Sequence, residues 1–481
     1  MRVAARNRPV HRAVLVLGVV ALFSGGCTVG PNYVRPSAEA PAAYKETPQN
    51  FKEAQPSDAI EKGTWWLIYN DPQLDDLEEQ VVVSNQTLKA AQAQYAAARA
   101  AVRIARGQSF PSATGGVSAS HFSESPNRPT GTANLNFQDY QLPVDVSYEP
   151  DLWGRVRRLV EANRSEAQAT AADLANVQLS LQAELASDYF EMRGLDAEKK
   201  LLDSTVESYE KALELTQTRY QGGVATAVDV AQAQTQLETT RARSIDVGVN
   251  RAAFEHAIAV LVGKPASTFS LPPLSLETPP PPIPPGVPSD LLERRPDIAA
   301  AERRVQEANA QIGVARSAYY PNVTLLAAGG FESGALGTFL QGASGFWTLA
   351  GQASELIFDG GQRRGTNEQA RALYDRSVDN YRQTVLTAFA EVEDNLAALN
   401  ILQEEAKTED AAVTAAERSL DLSTTRYRGG VTNYLEVTTA QSAALTDEVT
   451  ALDILIRRMN ASVLLIKATG GGWKVSQIPP I

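Results

Sequence analysis

The sequence predicts a mixed α and β membrane protein that must assemble from several copies. Three observations lead there. A unit of roughly 200 residues occurs twice, long proline-free stretches carry heptad spacing, and four short segments alternate apolar with polar or small residues.

The first 26 residues hold Arg2, Arg6, Arg8 and Arg12 without an acid, then an apolar run from Ala13 to Phe23, then Ser24, Gly25 and Gly26 before Cys27. This pattern predicts an export signal over 1–26, too short to span a bilayer as a mature helix. Cys27 is the only cysteine, which excludes an intramolecular disulfide. A cysteine directly after Gly-Gly resembles the lipobox of bacterial lipoproteins, whose thiol carries a diacylglycerol and whose amino group is acylated. Ser24 stands where that motif usually has leucine, so a plain secretory signal is the alternative. Thr28 rather than an aspartate follows, which points the expected anchor to the outer membrane. Removing the four signal arginines lowers the net charge from −12 to −16, which argues against nucleic acid and anionic membrane surfaces as partners.

After an N-terminal segment over 27–71, the repeat appears at an offset of 207. Glu210–Val224 reads EKALELTQTRYQGGV and Glu417–Val431 reads ERSLDLSTTRYRGGV. Arg106 with Phe110-Pro111 recurs as Arg316 with Tyr320-Pro321, and Gly154–Arg158 recurs as Gly360–Arg364. The units are 72–263 and 296–470, joined by a proline-rich, extended connector over 264–295 and followed by a tail over 471–481. No proline lies between Pro150 and Pro265 or between Pro321 and Pro479, as continuous helices require. Leu445, Val449, Leu452, Ile456, Met459, Val463 and Ile466 step by four and three, the seam of helices packed side by side. Gly222-Gly223 and Gly429-Gly430 interrupt these stretches where a chain reversal needs positive φ, so each unit is expected to end in a helical hairpin with its tip at 221–226 or 428–433.

Strands are expected near 112–122, 137–149, 322–331 and 346–357, with Leu142, Val144, Val146 and Tyr148 on one face of the second. Segments of about ten residues cross a bilayer when tilted. Four strands cannot close around a channel, and lipid tolerates no open sheet edge. Three copies would supply twelve strands, with their helices forming a coaxial tube below. The alternative is a soluble hairpin packed on a helical bundle.

The residues then resemble the outer membrane factor family of TolC-like and OprM-like exit ducts, in its lipoprotein branch. The carrying motifs are Gly26-Cys27-Thr-Val-Gly-Pro-Asn-Tyr33, Leu291-Leu-Glu-Arg-Arg-Pro-Asp-Ile298, the two Arg-Tyr-x-Gly-Gly-Val turns, and Phe358-Asp-Gly-Gly-Gln-Arg-Arg364. The resemblance implies a homotrimer with a twelve-strand outer-membrane β-barrel continuous with a twelve-helix periplasmic α-barrel in a Gram-negative cell, and an equatorial belt built from the termini and the connector, 27–71 and 264–295. It implies a periplasmic adaptor (membrane fusion protein) that meets the hairpin tips, Gly222, Gly223, Val224, Gly429, Gly430 and Val431, and an inner-membrane pump. It also implies a periplasmic aperture at Leu435, Glu436, Thr439 and Asp229, with Leu435 constricting it and Glu436 giving cation preference, the alternative being that Glu436 is simply a solvated helix residue. Thr439 and Ser442 stand where relatives carry Asp and Arg.

No catalytic constellation emerges, and no cofactor or metal is expected beyond the lipid on Cys27. His121 falls in an expected strand and His256 aligns with Val463 on the packing stripe. Gly263-Lys264 lacks the upstream glycine of a phosphate loop. The expected function is a passive efflux conduit for small molecules; a type I protein-secretion duct and a coiled-coil scaffold without a pore are the alternatives.

Overall fold

The computed structural model describes residues 28–46, 63–123, 125, 136–283 and 290–481. The expected export signal, Cys27 and most of the loop between the first two strands lie outside the described residues. The elements in order are α1 (Pro72–Ser84), α2 (Gln86–Gly107), β1 (Ser112–Gly115), β2 (Ser118–Ser123), β3 (Asn136–Tyr148), α3 (Arg155–Gln221), α4 (Ala227–Leu261), α5 (Pro296–Ser317), β4 (Asn322–Ser333), β5 (Gly345–Ser354), α6 (Gln362–Arg428) and α7 (Tyr434–Ala468).

The duplication is visible in the element bounds. Helices α3 and α6 each have 67 residues and α4 and α7 each have 35, and both pairs are offset by 207. Each 67-residue helix is roughly 100 Å long at about 1.5 Å per residue. Gly154 (φ 81°) and Gly361 (φ 94°) precede the long helices, in a left-handed conformation that only glycine adopts cheaply. Helices α3 and α4 form one antiparallel hairpin and α6 and α7 the other, with α5 lying along both long helices and α2 along α3.

One apolar core lies where these elements converge. It gathers Trp65, Trp66, Leu74 and Val81 with Tyr189 and Phe190 of α3, Val385 and Val392 of α6, and Val463 and Ile466 of α7. Arg295, from the Leu-Leu-Glu-Arg-Arg-Pro-Asp motif, is buried there; its guanidinium bonds Asp297, Glu391 at 2.6 Å and the carbonyl of Ala468 at 3.1 Å. Charge pairing with both carboxylates makes its burial affordable and fixes the start of α5 against the middle of α6 and the end of α7. His256 departs from the expectation: it is exposed, whereas its counterpart Val463 is buried. The repeats share a backbone but pack into different surroundings.

The N-terminal segment is a strap over both repeats. Arg158 donates to the carbonyls of Val29 and Gly30, Asn309 donates to the carbonyl of Pro31, and Tyr33 donates to Glu302 at 2.9 Å. Further along, the amides of Lys45 and Glu46 donate to the carboxylate of Glu393. Gly30 crosses Gly313 so closely that a Cβ on Gly30 would stand 2.5 Å from the Gly313 Cα.

The strands form one antiparallel sheet in the order β1-β3-β4-β5, with β2 also beside β3. The strand expected at 112–122 is broken into β1 and β2, and the reason is its partner. Gly115 pairs with Val144 and Ser118 with Gln141, so the gap faces Pro143, which has no amide to donate. The strand expected to reach 357 stops at Ser354, opposite Asn322, because the next partner would be Pro321. Leu356, Ile357 and Phe358 therefore fall beyond the sheet and are exposed.

Candidate functional site: the two-faced sheet and the hairpin tips

Register sorts the strand residues onto two faces. Val146 opposes Ala327, which opposes Leu349; Val144 opposes Gly329, which opposes Trp347; Tyr148 opposes Leu325. On the other face Asp145 opposes Ala328, which opposes Thr348, Gln141 opposes Glu332, and Ser147 opposes Leu326. One face is thus predominantly apolar and outward, with Trp347 77% and Leu349 73% exposed, and the other polar and acidic. This alternation is that of a strand with lipid on one side and water on the other. Among the described residues no helix is long and apolar enough to cross a membrane. Among the described residues, both edges, β1 with β2 and β5, carry no further strand neighbour.

At the other end of the helices, the two hairpin tips lie side by side. Of each glycine pair only the second, Gly223 (φ 74°) and Gly430 (φ 72°), is left-handed; Gly222 (φ −79°) and Gly429 (φ −74°) cap the helices with negative φ. Val224 and Val431 follow, exposed at 67% and 71%. These six expected contact residues form the outermost turns, where bulky partners have free access.

The tips are clamped together by groups that sequence reasoning did not single out. Arg219 donates from Nη1 to the carbonyl of Arg428 at 2.8 Å and lies 4.8 Å over the ring of Tyr427. Tyr427 packs edge-on against Tyr434, and both are buried with Ala233 and Val437. The signal was available, since Arg219 and Arg426 occupy equivalent places in the two Arg-Tyr-x-Gly-Gly-Val turns.

Of the expected aperture residues, Leu435 and Thr439 are exposed on α7, with the Thr439 hydroxyl turned back to the Leu435 carbonyl at 2.9 Å. Asp229 does not join them as a free acid. It is buried, forms a capping box with Thr226 at the start of α4, and accepts from the amide of Tyr434 at 3.3 Å. Desolvation pushes its pKa up, but the Thr226 and Tyr434 hydrogen bonds and the Arg219 charge outweigh this and hold it below the ordinary value. Glu436 is not a free anion either, because Arg426 pairs with it at 3.0 Å and the Thr432 hydroxyl donates to it. Glu436 thus has a countercharge beside it in its own chain. Among the described residues no group of three or more His, Cys, Asp or Glu side chains forms a metal site.

The family model described as outer membrane efflux protein matches residues 77–264 and 287–471. The chain is 33% identical over 468 residues to the probable efflux pump outer membrane protein TtgC of Pseudomonas putida, covering 96% of each. It is 31% identical over 463 residues to outer membrane protein OprJ of Pseudomonas aeruginosa, covering 95% of each. Among solved structures, the outer-membrane channel OprN superposes with a TM-score of 0.87 at 31% identity over 93% of this chain and 100% of that one. The Campylobacter jejuni CmeC outer membrane channel superposes with a TM-score of 0.87 at 26% identity, over 94% of this chain and 96% of that one.

Proposed function

Because this chain belongs to the outer membrane efflux protein family, we propose that three copies close its open sheet into a twelve-stranded barrel and its hairpins into a twelve-helix tube. The protein is an outer-membrane channel of an efflux pump, in a family of channels rather than enzymes. Its role is that of a passive duct, with energy supplied by an inner-membrane pump joined to it through a periplasmic adaptor at the hairpin tips. The cargo class is small toxic compounds, in keeping with relatives named as toluene and antibiotic efflux proteins.

The observation that carries this reading is the sheet. It has one apolar face and one acidic face, and two edges that lipid would leave unsatisfied. Twelve such strands turn the Asp145 and Glu332 face inward around water and the Trp347 face outward. The strap supports a lipid anchor on Cys27. Its first described residue, Thr28, packs against Gly154, where sheet passes into helix.

The test is reconstitution of the purified full-length chain in planar bilayers, paired with deletion in the producing cell. Discrete conductance steps and increased sensitivity to solvents or antibiotics are expected. A protein that inserts but carries no current would overturn the duct.

A further inference from the structure

The proline-rich connector takes no part in the sheet, the tips or the aperture, yet it is held firmly on the helical body. The amide of Leu271 donates to Glu255 at 2.7 Å and its carbonyl accepts from Arg251 at 2.8 Å. The carbonyl of Pro272 accepts from Arg193 at 2.8 Å, the amide of Leu274 donates to Asp196 at 2.9 Å, and the amide of Leu276 donates to the Arg193 carbonyl at 3.2 Å. Arg193 and Asp196 are buried and paired with each other on α3, and Arg251 of α4 pairs with Asp196 at 2.6 Å. At the far end Ile283, 3% exposed, is set into the main apolar core. Between these two anchorages Glu277-Thr278-Pro279-Pro280-Pro281-Pro282 runs over the surface.

Proline chemistry sets the shape of that run. Each proline holds its own φ near about −65° and turns the residue before it toward extended ψ, so consecutive prolines form a polyproline II helix. With about three residues per turn, Pro279 and Pro282 stand on one ridge. That ridge faces solvent: Pro279 and Pro282 are exposed, whereas Pro280 and Pro281 are half-buried. Among the described residues no group donates to the carbonyls of 279–282. A helix that is preformed and fixed at both ends loses little freedom on binding.

We infer that Pro279 and Pro282, with the Glu277 carboxylate beside them, are a docking ridge for a periplasmic protein that presents an aromatic-lined groove and a basic side chain. Aromatic rings pack on the successive prolines of one ridge, and a phenol or indole among them donates to the open carbonyls. Among the described residues Glu277 pairs only with Lys200, at 3.4 Å and with side chains 72% and 70% exposed, a contact weak enough for a basic group on the partner to replace. A second copy of this chain does not supply the groove: among the described residues, the aromatic rings that are exposed lie in or beside the sheet, as Trp347 and Phe358 do, or at a hairpin tip, as Tyr220 does. The docking ridge goes beyond the duct and needs of it only that the helical body stands in water.

Two measurements on the full-length protein test this. In detergent, a purified WW domain that takes plain proline runs is the probe. It is expected to bind the wild type, and Pro279→Ala with Pro282→Ala to weaken it about tenfold or more. Pro280→Ala with Pro281→Ala loosens the helix to the same degree but keeps the ridge, and is expected to weaken binding no more than about threefold. No binding to the wild type, or equal losses in the two double variants, overturns the ridge. In the producing cell, a photocrosslinking amino acid at position 279 or 282 is expected to give an adduct whose partner peptide, sequenced by mass spectrometry, carries Trp or Tyr, and at position 280 to give none. No adduct, or adducts with a second copy of this chain alone, overturns the proposal. Single-channel conductance of the Pro279→Ala, Pro282→Ala protein is expected to match the wild type. A wild type that forms the adduct but conducts nothing supports the ridge and overturns the duct.

Discussion

Glu78 stands in α1 among Leu74, Leu77 and Val81, fully buried, and neither carboxyl oxygen has a hydrogen-bond partner among the described residues. Burial, reinforced by the charge of Asp75, raises its pKa well above the ordinary value. Asp188 of α3 is pushed to about 6 by desolvation, with Glu184 and Glu191 adding to the shift. Both groups bind a proton more tightly folded than unfolded. Their stabilising contribution is complete below the unfolded carboxyl values and is lost as pH rises through the folded ones. Thermal unfolding of the wild type in detergent should therefore start at lower temperature at pH 8 than at pH 5. Glu78→Met should raise stability at pH 8 by about 1–3 kcal/mol, the penalty of an unsatisfied buried polar group, and flatten the pH profile. Asp188→Asn should flatten the segment around pH 6. At this scale the sequence was legible in part. The repeat placed Asp229 and Glu436 in equivalent positions, but spacing does not reveal that Thr226 completes a capping box around one while Arg426 pairs with the other.

Helices were the most legible elements, because proline exclusion, heptad steps and glycine punctuation all act locally. The hairpin tips fell within a residue or two of their expected limits. Each Gly-Gly pair reads as symmetrical in sequence and is not so in conformation. Gly223→Ala and Gly430→Ala force an L side chain into the left-handed region and should each cost about 1–2 kcal/mol. Gly222→Ala and Gly429→Ala keep helical φ and should be neutral or slightly stabilising, a contrast that unfolding temperatures would resolve. The break between β1 and β2 was not legible, since it depends on which residue faces Pro143, and pairing register is a tertiary fact. The course of the strap was equally hidden, although the family resemblance placed the N-terminal segment in an equatorial belt. It has no period, and its place is set by Arg158, Asn309 and Glu302 reaching to it from other elements.

For the whole molecule, the face assignment of the sheet makes a sharp distinction between neighbours in one strand. Leu349→Lys places a charge on the apolar face and should cost about 2–4 kcal/mol near the bilayer midplane, measured as loss of folded protein in outer-membrane fractions. Thr348→Lys, one residue away on the polar face, should assemble and instead reduce cation current. Composition alone showed that strands, not helices, had to do the crossing. The closing of the ring was legible only as a necessity, because one chain contains half of each contact.

The strap joins the earliest part of the chain to some of the latest. Its partners are 269, 348 and 354 residues away, at Glu302, Glu393 and Asn400. Seating it therefore requires that α5 and α6 already lie against each other, so the segment nearest the N-terminus is among the last to be ordered. Until then it is a free leash.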